Sequence, residues 1–278
     1  MRPASLDDAV FIAGLLSLHL PEPASAEVVR RQLTAPGVDI ERDTCIDDHA
    51  AAVVTCEGEE AWLDLAGEPN AELLAWAWRR AGERGAVRLA TATWDEHGPS
   101  RGVLEAAGFT PATTLLRMRV DLSGASYDPV WPEGVTARTY RDGDAPRIHA
   151  LHVAGSEDPP TEDYAAWAHA HLGPPYFEPS LWFLAEAGPE LTGILLCSPH
   201  PAFLDVALIA VFAVAPSWRG RGLGRALLEF GFATLVERGF TAAILGVDED
   251  NPSPVVHLLD SEGMRVTRRR FGYAKTLA

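Results

Sequence analysis

The sequence predicts an α/β fold with a mixed sheet, arranged as two domains of similar plan in tandem. Strand-like apolar runs alternate with helical patterns in both halves of the chain. A stretch rich in Gly, Ser and Pro, residues 123–134, separates the two halves. The order of elements that ends the second half also ends the first. We therefore expect domains at residues 1–122 and 135–278, joined by a linker at 123–134.

The composition supports this division. A chain of 278 residues with 47% apolar residues has material for two cores of ordinary size. The net charge of −16 disfavours a nucleic-acid partner, because such binding depends on cations that neutralise phosphates. We find no apolar run of membrane-spanning length and no signal-peptide pattern. Cys45, Cys56 and Cys197 lack metal or disulfide spacing, so we expect a cytoplasmic protein without a bound metal.

The first half ends in a predicted strand, helix, strand, short helix and final strand. We expect these elements at residues 61–66, 71–84, 87–93, 100–107 and 113–122. Gly108 follows the short helix, where glycine is a typical helix stop.

In the second half, an alternating strand precedes two helices and a hairpin that turns at Gly188 and Pro189. A long apolar strand, a helix, a buried strand, a short segment that begins with proline and a basic final strand follow. In this order, and leaving out the short segment, the expected bounds are residues 135–140, 145–154, 161–171, 181–187, 191–197, 206–216, 222–238, 241–247 and 265–273.

The most informative segment is VALIAVFAVAPSWRGRGLG, residues 206–224. An apolar strand ends at Pro216, three glycines follow, and a helix then begins. The first amides of a helix have no partner within it, and the helix dipole favours negative charge there. Glycines can take positive φ angles and let a ligand approach the backbone closely. The segment therefore predicts a cradle for a pyrophosphate.

Two common pyrophosphate motifs do not fit this segment. A dinucleotide fingerprint needs G-x-G-x-x-G in the first βα unit, whereas these glycines run G-x-G-x-G late in the chain. A Walker A loop needs Lys and then Ser or Thr, but Arg225 and Ala226 follow the glycines. The remaining pattern, a Val-x-Pro and then R-x-x-G-x-G behind an apolar strand, closely resembles the acetyl-CoA loop of the GCN5-related N-acetyltransferase (GNAT) family. The resemblance covers about residues 134–277.

The resemblance implies an acetyl-CoA-dependent N-acetyltransferase in which an amine attacks the thioester directly. It places the diphosphate on the amides of residues 221–225 and the pantetheine arm along the end of the preceding strand. It also implies that the Val214 amide region stabilises the oxyanion. The implied cofactor-binding residues are Phe212, Ala213, Val214, Arg219, Gly220, Arg221, Gly222, Leu223, Gly224, Arg225 and Asn251.

The acceptor amine must lose a proton, because an alkylamine has a pKa of about 10.4 and is charged at neutral pH. Relatives often carry an acid or a His at two positions of the strand before the loop, where this chain has Leu208 and Ala210. We name Asp248 and Asp205 as candidate catalytic bases, and the acidic pair Glu157-Asp158 as a further possibility. A solvated carboxylate at a loop or strand end is the alternative for each.

The usual general acid is also absent. Relatives carry a Tyr four residues before the Gly of a Gly-aromatic pair, and this chain has Leu259 there. Tyr273, our third catalytic candidate, or His257 can take that role, with packing or surface positions as the alternative. A thiolate whose pKa is about 8.5 needs little help to leave. Positioning and oxyanion stabilisation can therefore supply most of the rate enhancement.

The first half resembles a degenerate member of the same family. Gly108-Phe109 matches Gly263-Met264 in place, but the strand-to-helix turn at residues 67–70 has one glycine. Glu68 puts a negative charge where the phosphates would lie. We therefore predict that residues 1–122 form a degenerate GNAT-like domain that does not bind CoA. Tandem chains of this family include the mycothiol synthases, whose catalytic half the second half resembles.

We expect the acceptor site between residues 155–176 and the turn after Cys197. Rings that can flank an amine or pack in a core occur in this region: Trp167, His169, His171, Tyr176, Phe177 and Trp182. The expected partner is a small-molecule or peptide amine, with no nucleic acid, no membrane, and a monomer or homodimer. The competing hypothesis is a CoA-binding sensor or interaction module without turnover.

Overall fold

The computed structural model describes residues 1–17, 24–35, 37–94, 98–156, 163–173, 177–200, 203–250 and 255–276. They form two compact units, one made of residues 1–116 with 268–278 and the other of residues 117–267. Four residues named above lie outside the described ranges: Glu157, Asp158, Tyr176 and Asn251.

The first unit has helices on both faces of a mixed sheet. Its elements are α1 (Ala9–Ser17), α2 (Ala26–Leu33), α3 (Ile40–Asp43), β1 (Thr44–Ile46), β2 (Ala50–Glu57), β3 (Glu60–Gly67), α4 (Ala71–Glu83), β4 (Arg88–Trp94) and α5 (Gly98–Ala106). β5 (Thr110–Asp121) begins in this unit and ends in the second. α4 and α5 cover one apolar core, and α1 and α2 cover another.

The second unit also has helices packed on a sheet. Its elements are β6 (Val135–Thr139), α6 (Ala145–Gly155), α7 (Tyr164–Leu172), β7 (Trp182–Ala187), β8 (Glu190–His200), β9 (Phe203–Val214), α8 (Leu223–Glu237), β10 (Ala242–Asp248) and α9 (Val255–Ser261). β11 (Arg265–Thr276) begins in this unit and lies mostly in the first. β6 to β9 pair in antiparallel order, and β9 pairs with β10 in parallel. α6 and α7 cover one face of this sheet, and α8 packs on β7 and β8.

The structure confirms the predicted α/β class with a mixed sheet, and it confirms the predicted elements within a few residues at each end. The sequence analysis did not predict α1, α2, α3, β1 or β2. Among the described residues, no helix combines the length and apolar character that crossing a bilayer requires.

The last strand has an unexpected place. We expected β11 to complete the second domain, but its residues 270–276 pair antiparallel with β4 in the first unit. The compact units therefore differ in their bounds from the predicted domains 1–122 and 135–278, with a linker at 123–134. The division into two domains of common plan stays a prediction.

Candidate active site

The site begins where β9 and β10 separate. Their parallel pairing runs from Val206 opposite Ala242 to Leu208 opposite Ile244, although both strands continue further. At the same level the pairing of β9 with β8 shifts by one residue, which leaves Ala210 as an extra residue in β9. Such a bulge bends a strand and increases its twist. The end of β9 thus stays paired with β8 while its other edge has no pairing with β10.

The main chain at the end of β9 faces this open edge. The Ala215 N–H donates to Thr192 O on the β8 side at 2.9 Å. In an antiparallel pair, alternate residues direct their N–H and C=O groups to opposite sides. Phe212 and Val214 therefore present these groups away from β8, towards the gap. Of the three residues predicted to contact a ligand through their main chain, Phe212 and Val214 face the gap and Ala213 faces β8.

The loop after β9 leads to an uncapped helix. Gly220 and Gly222 have φ angles of +71° and +84°, a region in which residues with a Cβ are strained. Gly222 is the N-cap residue of α8, and no side chain caps the helix. The first bond within the helix runs from the Ala226 N–H to Gly222 O at 3.1 Å. The amides of residues 223–225 precede that bond and are the groups that an anion can claim.

Close packing holds α8 against the end of β9. A Cβ on Gly224 would lie 3.0 Å from Leu258 Cδ2 and 3.3 Å from Phe212 Cζ. On the other face, a Cβ on Gly155 would lie 3.2 Å from the Ala213 Cβ and 3.3 Å from Val214 O. The end of β9 is therefore fixed between α8 and the last residue of α6.

The three arginines of the loop differ in their contacts. Arg219 donates to Gly155 O at 2.8 Å and to Val214 O at 3.4 Å, so it ties the end of α6 to β9. Arg225 forms an ion pair with Glu262 at 3.0 Å. The Arg221 guanidinium lies 5.1 Å from the centre of the Trp218 ring. Arg219 and Arg225 thus organise the cradle, and Arg221 is an exposed cation beside it.

The three catalytic candidates lie in different places. Asp248 ends β10, at the same end of the sheet as Val214, and its Oδ1 accepts a hydrogen bond from the Asp250 N–H at 2.9 Å. Asp205 lies near the other end of β9, about 30 Å from Val214 at the usual rise per strand residue. It accepts a hydrogen bond from Thr241 Oγ1 at 2.8 Å. This distance argues against the predicted role of Asp205, because proton transfer needs contact or one bridging water.

Tyr273 belongs to the core of the first unit, where it is fully buried. Its hydroxyl donates to Glu105 Oε1 at 3.0 Å and accepts from Arg101 Nε at 3.2 Å. These partners give Tyr273 a packing role, the alternative stated above. His257 is exposed on α9, and Leu259 of the same helix is fully buried. An apolar core position therefore replaces the tyrosine of the relatives.

The rings of the expected acceptor region pack largely in the core. Trp167 is fully buried and Trp182 is nearly so, and both belong to the cluster under α6 and α7. The sequence analysis missed His149 and His152 of α6. Trp167 Nε1 donates to His152 Nδ1 at 3.1 Å, so that nitrogen of the imidazole is unprotonated. The sequence signal for this pair was the spacing of three residues between His149 and His152, which places both side chains on one face of the helix.

The turn between β3 and α4 of the first unit, residues 67–70, corresponds to the glycine loop and is closed by contacts within the protein. The Asn70 side chain accepts from the Leu73 N–H at 2.9 Å and donates to Asp47 at 2.8 Å, so it caps α4. A Cβ on Gly67, whose φ is +76°, would overlap His49 O. The Leu73 amide at this helix end therefore already has a partner, and the absence of CoA binding by residues 1–122 stays a prediction. Within the described ranges, no three His, Cys, Asp or Glu side chains come together as a metal site requires.

Comparison with known proteins places this site in a family. The sequence pattern of the "Acetyltransferase (GNAT) family" matches residues 146–255. A mycothiol acetyltransferase of Thermobispora bispora is 34% identical over an alignment of 224 residues. The match covers 73% of this chain and 75% of that protein. One of Streptomyces bingchenggensis is 33% identical over 174 residues, which are 60% of this chain and 56% of that protein. The chain thus spans little more than half the length of this relative.

Solved structures show the same fold over the whole chain. A GCN5-related N-acetyltransferase from Sphaerobacter thermophilus has a TM-score of 0.83 at 24% identity and covers 99% of this chain and 94% of its own. A tandem GNAT protein from the clavulanic acid biosynthesis pathway has a TM-score of 0.74 at 16% identity, covering 99% and 97%. The uncapped glycine loop, the sequence pattern around it and a relative matched over three quarters of its length agree: the chain belongs to the acetyltransferase (GNAT) family.

Proposed function

We propose that the second unit transfers an acetyl group from acetyl-CoA to a primary amine of a small molecule or peptide. The observation that carries this proposal is the uncapped N-terminus of α8 beside the open edge of β9. The amides of residues 223–225 suit a diphosphate, and the outward-facing main chain at Phe212 and Val214 suits an extended pantetheine arm. Acetyl-CoA supplies an activated acetyl group as a thioester.

In this proposal the chain contributes mainly position and charge stabilisation. The Val214 N–H faces the gap and can donate to the developing oxyanion. Asp248, at the carboxyl end of β10, removes the ammonium proton through a water. The thiolate leaves without a dedicated acid, because Leu259 is buried where relatives carry tyrosine. We also propose that the protein is cytoplasmic and that it is a monomer or a homodimer.

The cofactor claim is tested by two glycine variants with equal backbone strain. Gly222 and Gly239, at opposite ends of α8, have φ angles of +84° and +85°, and an added Cβ meets nothing within 4 Å at either. Gly222→Ala should weaken CoA binding at least about tenfold in calorimetry by disturbing the helix start. Gly239→Ala should cost similar stability and leave CoA binding unchanged. Equal CoA affinities in both variants would contradict the cradle.

The catalytic claim is tested by thiol release from acetyl-CoA across a panel of amines that includes the acceptor of mycothiol acetyltransferases. Asp248→Asn should lower kcat by about 10²-fold or more and change its pH profile. Asp205→Asn, at the distant end of β9, is the matched control and should keep wild-type turnover. Tight CoA binding without thiol release on any amine would favour the alternative, a CoA-binding module.

A further inference from the structure

A cavity of about 150 Å³ lies within the first unit, where β3 and β4 separate. These strands pair in parallel from Glu60 opposite Arg88 to Leu63 opposite Thr91, and both then continue without pairing. Leu15 and Leu16 of α1 and the apolar residues of β3 form part of its wall. A cavity of this size is known to hold a molecule as large as benzene. The opening is therefore large enough for a small organic ligand.

A buried hydroxyl at this cavity has no partner. Thr91 Oγ1 donates across the two strands to Leu63 O at 2.7 Å. Thr93, two residues further and on the same face, lines the cavity and is 5% exposed. Among the described residues its Oγ1 has no hydrogen-bond partner, because β3 has moved away at this level. A buried polar group of this kind costs free energy unless a ligand or water satisfies it.

Among the described residues, two charged side chains line the cavity, Asp64 and Arg270. The Asp64 oxygens accept from Trp62 Nε1 at 2.9 Å and from Gln32 Nε2 at 2.8 Å, which fixes the carboxylate and leaves further lone pairs. The Arg270 guanidinium lies 5.4 Å from the centre of the Trp62 ring and 5.9 Å from that of Trp94. The two aromatic rings thus hold the guanidinium at the cavity wall.

The two charges act on each other without forming a pair. Burial lowers the pKa of Arg270, and the charge of Asp64 raises it. Within the described part of the chain, the Asp64 carboxylate acts on the Arg270 guanidinium through its charge, without a hydrogen bond between the two side chains. A ligand that carries one positive and one negative group can pair with both side chains. A simple anion would be repelled by the Asp64 carboxylate, and a simple cation would be repelled by the Arg270 guanidinium.

We propose that this cavity binds a small apolar α-amino acid as a zwitterion. Its carboxylate contacts Arg270, its ammonium group contacts Asp64, and its side chain lies against Leu15 and Leu16. This site lies in the first unit and does not depend on the acetyltransferase activity proposed for the second.

The proposal is tested by calorimetry on the full chain with L-valine and two analogues that each lack one charge. 3-Methylbutanoate has no ammonium group, and 2-methylpropylamine has no carboxylate. L-Valine should bind at least about tenfold more tightly than either, because each charged contact contributes about that factor or more. Equal binding of all three molecules, or no detectable binding of L-valine at millimolar concentration, would overturn the proposal.

Variants locate the site and separate it from the CoA site. Asp64→Asn and Arg270→Met should each weaken L-valine binding at least about tenfold while CoA affinity stays at its wild-type value. Arg88→Gln, which removes an exposed arginine paired with Glu60 on the same sheet, is the control and should bind normally. The comparison of the three ligands on the wild-type chain keeps the proposal testable if a charged variant unfolds. Wild-type L-valine affinity in folded Arg270→Met would sink the assignment.

Discussion

Gly231 is a point of close contact between α8 and its sheet. It lies within the helix, and a Cβ there would overlap Leu195 Cδ2 and lie 3.4 Å from the Phe183 ring. Leu195 and Phe183 are themselves fully buried, so neither can move into open space. The absence of a side chain at Gly231 sets the distance between helix and sheet, and thereby the depth at which the loop before α8 lies.

Gly231→Ala should therefore destabilise the protein by about 1–3 kcal/mol through overpacking. The matched control is Gly82→Ala in α4, where an added Cβ meets nothing within 4 Å. That change should be neutral or stabilise by up to about 1 kcal/mol, because alanine is the better helix former. Urea unfolding of both variants measures the difference. A Gly231→Ala midpoint at or above the wild-type value would show that the core yields at little cost.

The sequence predicted the glycine loop before α8, but it did not distinguish between the two candidate catalytic carboxylates. The glycines lie in one continuous segment, and their conformational role follows from residue type alone. Asp205 and Asp248 look alike in sequence, since each lies at an end of an apolar strand. Which end of the sheet each occupies depends on strand direction and register, which are set by tertiary pairing. Tyr273 was misplaced for the same reason.

At the scale of elements, an arginine joins three pieces of the second unit. Arg138 of β6 contacts Asp144 at the start of α6 at 2.6 Å and Glu186 of β7 at 2.8 Å. All three side chains are largely buried. Arg147 adds a contact to Glu186 at 3.0 Å. This network positions the start of α6, whose other end packs against the end of β9.

Arg138→Met should cost about 3–5 kcal/mol of stability, because two carboxylates then lose their buried partner. The control, Arg88→Met, removes an exposed partner of Glu60 and should cost no more than about 1 kcal/mol. Both values come from denaturant unfolding followed by fluorescence. Similar costs in the two variants would show that the network contributes little.

The same network predicts a pH dependence. The Arg138 hydrogen bond lowers the pKa of Asp144 and of Glu186 in the folded state. A carboxylate with a lowered pKa stabilises the fold above its unfolded value, about 4, and this contribution is lost as the pH falls through the folded value. The stability difference between wild type and Arg138→Met should thus be constant near neutral pH and shrink below about pH 4. A difference that grows in acid would reverse the sign and refute this assignment.

The sequence analysis missed β2 and α1, two elements that are apolar at nearly every position. β2 has the sequence AAAVVTCE and is buried on both faces over its first five residues. α1 has the sequence AVFIAGLLS, with apolar residues at nearly every position. Such runs have no clear period of two or 3.6 residues, so the pattern cannot distinguish strand from helix. Their assignment depends on the layers that cover them.

At the scale of the whole molecule, the last strand connects the end of the chain to the first unit. Seven residues of β11, from Arg270 to Thr276, have partners in β4. Tyr273 fills the core beside α5, and the Lys275 ammonium lies 3.8 Å from the centre of the Trp78 ring and donates to Ala107 O at 2.8 Å. The first unit is thus incomplete without residues 268–278.

Truncation after Thr267 should leave the amides of β4 unprotected in hydrogen exchange, because the strand loses its partner and the core loses Tyr273. Tyr273→Phe, which removes only the hydroxyl and its two hydrogen bonds, is the milder control and should keep most of the protection. Addition of a peptide of residues 268–278 to the truncated chain should restore exchange protection. Protection of β4 that survives truncation would show that β11 is dispensable to the first unit.

The position of β11 also fixes an order of events during synthesis. A ribosome that has just made β4 must translate about 175 further residues before the partner of that strand exists. At about 5–20 residues per second this takes roughly 9–35 s. During this interval the nascent β4 edge has no native neighbour in β11, and such an edge is a template for wrong association. Shielding of the β4 edge until β11 is made would therefore favour correct folding of the first unit.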